Sequence, residues 1–202
     1  MELMDQLGVA FGLATLAGLN LYLTVALVGA AIRFQWISLS GAYEHLAVLG
    51  NPWILGVAGT LFAIEFIADK VPWVDSTWDA VHTLIRPAGA ILLALTAMGD
   101  LHPVMTVIAA LCAGTAALAT HGTKASARLV MNASPEPISN TVASLAEDGL
   151  VVGGIALISA APLVALVVFV VLVILCLMLT RWLWKKVSGL RGNRRGMAGG
   201  GA

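Results

Sequence analysis

The stretch from Leu163 to Thr180 reads LVALVVFVVLVILCLMLT and carries no charge. Neither the helical nor the strand period leaves it a polar face, so it cannot lie on the surface of a water-soluble domain. In hydrocarbon it is at home. A helix satisfies its own backbone N–H and C=O groups, and about 20 apolar residues cross a core of about 30 Å. The rest of the chain follows the same logic: of 202 residues, 59% are apolar and 11% charged, with a mean hydropathy of +0.94, whereas a soluble domain carries about a quarter charged residues. Length allows about five to seven spans and no large soluble domain.

Proceeding from the N-terminus, a first apolar run extends from Leu7 to Ile32 and is interrupted near its middle by Gly18-Leu19-Asn20. It exceeds one bilayer at 1.5 Å per residue and must tilt, kink or protrude. No positive n-region precedes it, so it reads as a retained span and not a signal peptide. Arg33 to Pro52 is mixed and suits an interfacial loop or short surface helix. Further runs are Trp53 to Ile67, Pro87 to Met98, Val104 to Thr120, Gly149 to Ala161 and Leu163 to Thr180. The expected fold is all-α: a polytopic helical membrane protein with about six transmembrane helices in one integral-membrane domain over residues 1–187. From Ser188 the chain is basic and Gly-rich, and residues 188–202 are expected to be a disordered tail.

Two polar segments lie between the runs. In the first, Trp78, Val81 and Ile85 share one helical face and Asp75, Asp79, His82 and Arg86 another, which predicts an amphipathic or re-entrant helix. The second runs from His121 through Lys124 and Arg128 to the proline-interrupted Ser134-Pro135-Glu136-Pro137, after which Ser139 or Asn140 can cap a new helix. If the basic tail is cytoplasmic, counting back through six spans puts both segments and both termini inside, with ten of the eleven Lys and Arg residues, in accord with the positive-inside rule. A parallel internal repeat is also suggested: Ala58-Gly59-Thr60 and Ala113-Gly114-Thr115 are each followed by a lysine, Lys70 or Lys124, and by a further span.

Ionisable side chains inside a bilayer face an interior or an aqueous cavity, because exposure to lipid costs about 2.5 to 3.5 kcal/mol each. Glu65 and Asp69, four residues apart, share a helix face and could hold a hard divalent cation or a proton; they could equally mark a helix end at the headgroups, paired with Lys70. His121 and Lys124 are placed to oppose them. Asp75 and Asp79 have a spacing that can hold Mg²⁺ against a diphosphate, with Glu147 and Asp148 as further acids, or they form a solvated face. Glu136 could line a mouth. No phosphate loop, zinc-protease helix, nucleophile elbow or paired-cysteine motif is present. A divalent cation is thus the one cofactor these residues suit, and enzyme chemistry has little support. Lipid is the expected partner, nucleic acid is not, and short Gly/Ala-rich spans suit a homo-oligomer.

With these residues in view, the chain resembles an uncharacterised bacterial membrane family, domain of unknown function 4126. The resemblance rests on Gly18-Leu19-Asn20-Leu21-Tyr22, on Glu65-Phe-Ile-Ala-Asp69-Lys70 with Pro72 and Asp75, on Asp79-Ala-Val-His82-Thr-Leu-Ile-Arg86-Pro87, and on Ser134-Pro-Glu136-Pro137 with Asn140 and Glu147-Asp148. Family members commonly read Gly-Leu-Arg-Ala-Phe at the first of these. The resemblance implies a bacterial inner membrane and no particular reaction. Glu65-x-x-x-Asp69-Lys70 is also similar to the Glu-x-Gly-Asp-Lys motif of a cation exchanger family, one residue different in spacing and without a second copy. Together these readings predict a small transporter or channel-like protein for a cation or proton, with a Mg²⁺-dependent lipid-phosphate enzyme and a non-catalytic scaffold as alternatives.

Overall fold

The computed structural model describes residues 2–37, 41–132 and 137–198. They form α1 (Glu2–Arg33), a 3₁₀ helix (Gly41–Gly50), α2 (Pro52–Ala68), α3 (Pro72–Met98), α4 (Pro103–Met131), α5 (Pro137–Ala160) and α6 (Pro162–Ala198). Prolines stand at or next to the start of α2 through α6, where the missing N–H is one that a helix leaves unbonded anyway. Five helices, α1 and α3 to α6, are long and apolar enough to cross a membrane, and the 3₁₀ helix with α2 forms a sixth, broken unit bent by 68°. The chain is therefore a multi-pass helical membrane protein.

α1 is the hub. It packs on every other helix, and the most apolar window of its span is 72% buried, against 22% for α6. Val9, Leu13, Ala14, Leu16 and Ala17 build the core of this packing. Gly18 is where α1 comes closest to α4: a Cβ there would overlap the Thr120 hydroxyl and stand 2.5 Å from the Ala117 carbonyl oxygen. At Asn20 the helix breaks. Its φ of −147° and ψ of 100° are extended, and its side-chain Oδ1 accepts from the Leu23 N–H at 2.9 Å, so it caps the second half-helix.

Both polar segments differ from expectation in the same way. The Asp75–Arg86 segment is the first part of α3, continuous with the apolar run after Pro87. His121 to Arg128 is likewise the last part of α4. Neither is a separate surface helix, because helices of 27 and 29 residues carry the polar stripe and the apolar run on one axis. The backbone of α6 stays helical to Ala198, through the segment read as disordered from Ser188; no proline follows Pro162 to interrupt its hydrogen-bond ladder.

Candidate functional site

The polar stripes of four helices meet beside the break in α1. Glu65 and Asp69 come from the end of α2, Asp75, Asp79, His82 and Arg86 from α3, His121, Lys124 and Arg128 from α4, and Asn140, Ser144, Glu147 and Asp148 from α5. Each stripe repeats at intervals of three and four residues, so its members project from one face. Glu65, Asp75, Arg86 and Asn140 are fully buried, and Asp69, Asp79, His82, His121, Lys124 and Arg128 nearly so. The outward faces at the same levels are apolar and exposed, with Ile64 and Ile67 on α2, Val81 and Leu84 on α3, Leu129 on α4 and Val142 and Leu145 on α5. A charged interior thus sits inside an apolar shell.

Three cations organise it. The Arg86 guanidinium donates to Glu65 Oε1 at 2.5 Å and to His121 Nδ1 at 2.8 Å, and lies 3.6 Å from Asp79 Oδ1. The Lys124 ammonium stands among carboxylates of two helices, 3.5 Å from Glu65 Oε1, 3.2 Å from Asp69 Oδ2 and 3.1 Å from Glu147 Oε2. Arg128 reaches Glu147 Oε2 at 2.9 Å, Asp69 Oδ2 at 3.8 Å and Asp75 Oδ1 at 3.7 Å, and donates to the Asn140 carbonyl at 3.1 Å. The break in α1 joins in: Arg86 and Lys124 donate to the carbonyls of Gly18 and Leu19 at 3.4 and 3.5 Å, oxygens that line the end of the first half-helix.

Hydrogen bonding orients both histidines and settles the tautomer of His121. His82 Nδ1 faces the Trp78 carbonyl at 2.7 Å and donates to it, and Nε2 is hydrogen-bonded with the Tyr22 hydroxyl at 2.9 Å. His121 Nε2 faces the Asp79 carbonyl at 3.1 Å and donates, leaving Nδ1 to accept from Arg86. The His121 ring is therefore neutral in this arrangement. Five carboxylates, those of Glu65, Asp69, Asp75, Asp79 and Glu147, therefore face three cations. Asp148 adds a sixth acid, held by Asn20 Nδ2 at 3.0 Å. Among the described residues, Glu65 Oε2, Asp69 Oδ1, Asp75 Oδ1, both Asp79 oxygens and Asn140 Oδ1 are buried without a hydrogen-bond partner, as are the Nε–H groups of Arg86 and Arg128.

Of the residues singled out from sequence, most converge here. Lys70 does not: its ammonium donates to the Phe66 carbonyl of its own helix at 2.7 Å and lies over the Phe66 ring, and burial holds it below the ordinary lysine range. It is therefore no counterpart of Lys124. Glu136 lies outside the described residues. Glu65 and Asp69 face the Lys124 ammonium, and among the described residues no group of three or more His, Cys, Asp or Glu side chains forms a metal-ligand set. His45 and His102 stay away from the cluster; His102 caps α4 through Val104 N–H, and Cys112 and Cys176 are unpaired. Arg86 and Arg128 are members that the sequence places on a polar face and in a polar segment without marking them as site residues, although their three-and-four-residue spacing lines them up with the acids and histidines of the cluster. Asn20 is a joint of backbone and cluster. Asn20→Ala removes both the cap on Leu23 and the partner of Asp148, and it is expected to lower stability by about 1 to 2 kcal/mol, measurable as a fall in the thermal midpoint in detergent.

Fold and site together define a multi-pass helical membrane protein built round a buried, acid-rich ion network. The chain belongs to the family Domain of unknown function (DUF4126), which matches residues 7–182. No curated protein and no solved structure matches it.

Proposed function

We propose that the chain is a small transporter or channel-like protein of the bacterial inner membrane whose acid-rich cluster takes up and releases protons. The observation that carries this reading is the charge imbalance: five bridged carboxylates against three cations, buried inside an apolar shell. Isolated charges in such surroundings neutralise themselves in preference to remaining ionised, so the excess acids call for added cations. Protons suit the site better than a divalent metal, because the Lys124 ammonium already stands where a metal would meet Glu65 and Asp69. A discontinuous helix at mid-span, with its free carbonyls turned to the cluster, is the construction transporters use at their ion sites.

The basic end of α6 argues for a cytoplasmic C-terminus, which would put the cluster in the cytoplasmic half and, with the broken 3₁₀–α2 unit counted as a span, the N-terminus inside. Gly56 and Gly59 on α2, and Gly149 and Gly153 on α5, have open space where a Cβ would stand; such smooth outer faces suit homo-oligomer contact. The close pairing of Arg86, Lys124 and Arg128 with acids also suits a static scaffold. Flux separates the two. Protein reconstituted into vesicles with an internal pH indicator is expected to pass protons under an imposed potential, and Glu65→Gln with Asp69→Asn is expected to abolish that flux. Wild-type vesicles no leakier than empty ones, to protons and to a panel of monovalent cations, would overturn the proposal in favour of a scaffold.

A further inference from the structure

A cavity of about 460 Å³ opens sideways between α1, α2 and α3, lined by none of the charged residues of the ion network. Along α2 it extends from Trp53 to Leu61, about 12 Å at 1.5 Å per residue, close to the depth of one leaflet's hydrocarbon, about 15 Å. Leu92 and Gly89 of α3 form the opposite wall, and Tyr22 closes the inner end. Its wall is almost wholly apolar, and its side-chain polar groups are the Tyr22 hydroxyl, bonded to His82, the Thr96 hydroxyl, bonded to the Leu92 carbonyl, and the indole N–H of the exposed Trp53. Water needs two to four polar partners to occupy a cavity, and a wall this apolar offers it few.

What lies outside the mouth is hydrocarbon. Trp53 is 84% and Leu92 67% exposed, both on outer faces of a membrane-spanning body. Near the Leu49 end of the cavity stands a basic side chain, Arg33. Arg33 is the only Lys or Arg before Lys70, is exposed, and donates to the Gly50 carbonyl at 3.4 Å, one residue from Leu49 on the cavity wall. We propose that this cavity is a binding site for one acyl chain of an anionic phospholipid, entering from the bilayer with its phosphate on the Arg33 guanidinium. This site does not depend on the proton reading. It meets the cluster at one lining residue, since the Tyr22 hydroxyl is hydrogen-bonded with His82 Nε2.

The test uses the full chain in vesicles containing phosphatidylglycerol with a photoactivatable diazirine near the middle of one acyl chain, with adducts mapped by peptide mass spectrometry. Adducts are expected to concentrate on the α2 and α3 walls, several-fold above the outward face of α6. Ala58→Phe, which fills the cavity, and Leu92→Trp, which covers its mouth from an exposed position, are each expected to remove that excess. Arg33→Gln is expected to reduce the preference for the anionic probe over a phosphatidylcholine analogue about fivefold, the contribution of one basic residue at a membrane surface. Even labelling of all lipid-facing helices, or an excess unchanged in both cavity variants, would overturn the site; an anionic preference unchanged in Arg33→Gln would overturn the role of Arg33.

Discussion

Arg86→Leu is expected to lower the stability of the folded protein by about 3 to 5 kcal/mol, the range for breaking a buried pair by removing one partner. Arg86 is fully buried and touches Glu65, Asp79 and His121 at once. Leucine keeps bulk but no donor. Glu65 would retain only the longer contact to Lys124, and Asp79, whose carboxylate oxygens have no hydrogen bond, would lose its nearest cation. The measurement is the thermal midpoint in detergent, read as a double-mutant cycle with Glu65→Gln. If the Arg86–Glu65 bridge carries the effect, the double variant will be more stable than Arg86→Leu alone, because neutral glutamine does not need the missing cation. Equal stability of Arg86→Leu and the unaltered protein would show that the cluster is already solvated or protonated enough to spare this arginine.

The second large effect is steric. Gly18→Val is expected to leave no monodisperse folded protein, and Gly18→Ala to destabilise by about 3 kcal/mol, at the upper end of ordinary overpacking. A Thr120 side chain could rotate away from a new methyl group, at the loss of its bond to the Thr15 carbonyl. The Ala117 backbone, 2.5 Å from the same Cβ position, has no such freedom. α1 must then move off α4, and it carries every other helix with it. Gly122→Ala, two residues beyond Thr120 on α4, has open space around its Cβ position and is expected to be neutral; a comparable loss there would show general intolerance of α4 to added bulk and not a contact at Gly18.

Much of this architecture can be read from residues, and the places where reading stops have physical causes. Apolar runs and prolines mark the helices because backbone hydrogen bonding in lipid leaves few options. The run of Asp75, Asp79, His82 and Arg86 declares an amphipathic helix equally plainly, yet periodicity does not say which face looks outward. In water the polar face of such a helix is outside; here Leu84 and Val81 meet the exterior and Asp75 and Asp79 are buried. The same inversion joined the polar segments to α3 and α4, which a count of apolar residues alone cuts short at Pro87 and Thr120. Gly18-Leu19-Asn20 announced a break, but its partner Asp148 lies 128 positions away, a distance across which local pattern is silent. The opposition of Lys124 to Glu65 and Asp69 was legible from helix ends. Lys70 has the same standing in the sequence, yet beyond the end of α2 its ammonium turns back to the Phe66 carbonyl.

The central place of α1 has a consequence for biogenesis. The hub is synthesised before all of its spokes. When α1 enters the bilayer, Asn20 has no Asp148 to hold, and the carbonyls at the break have neither Arg86 nor Lys124. As α2 and α3 follow, Glu65 gains Arg86, while Asp69 and Asp75 still wait for α4. Completion comes only with α5, whose Glu147 joins both Lys124 and Arg128. Assembly on this plan is late and collective, and a chain released before α5 would leave Lys124 and Arg128 without Glu147 and Asn20 without Asp148, with the side of the cluster that α5 covers open to lipid, where ionised groups are costly.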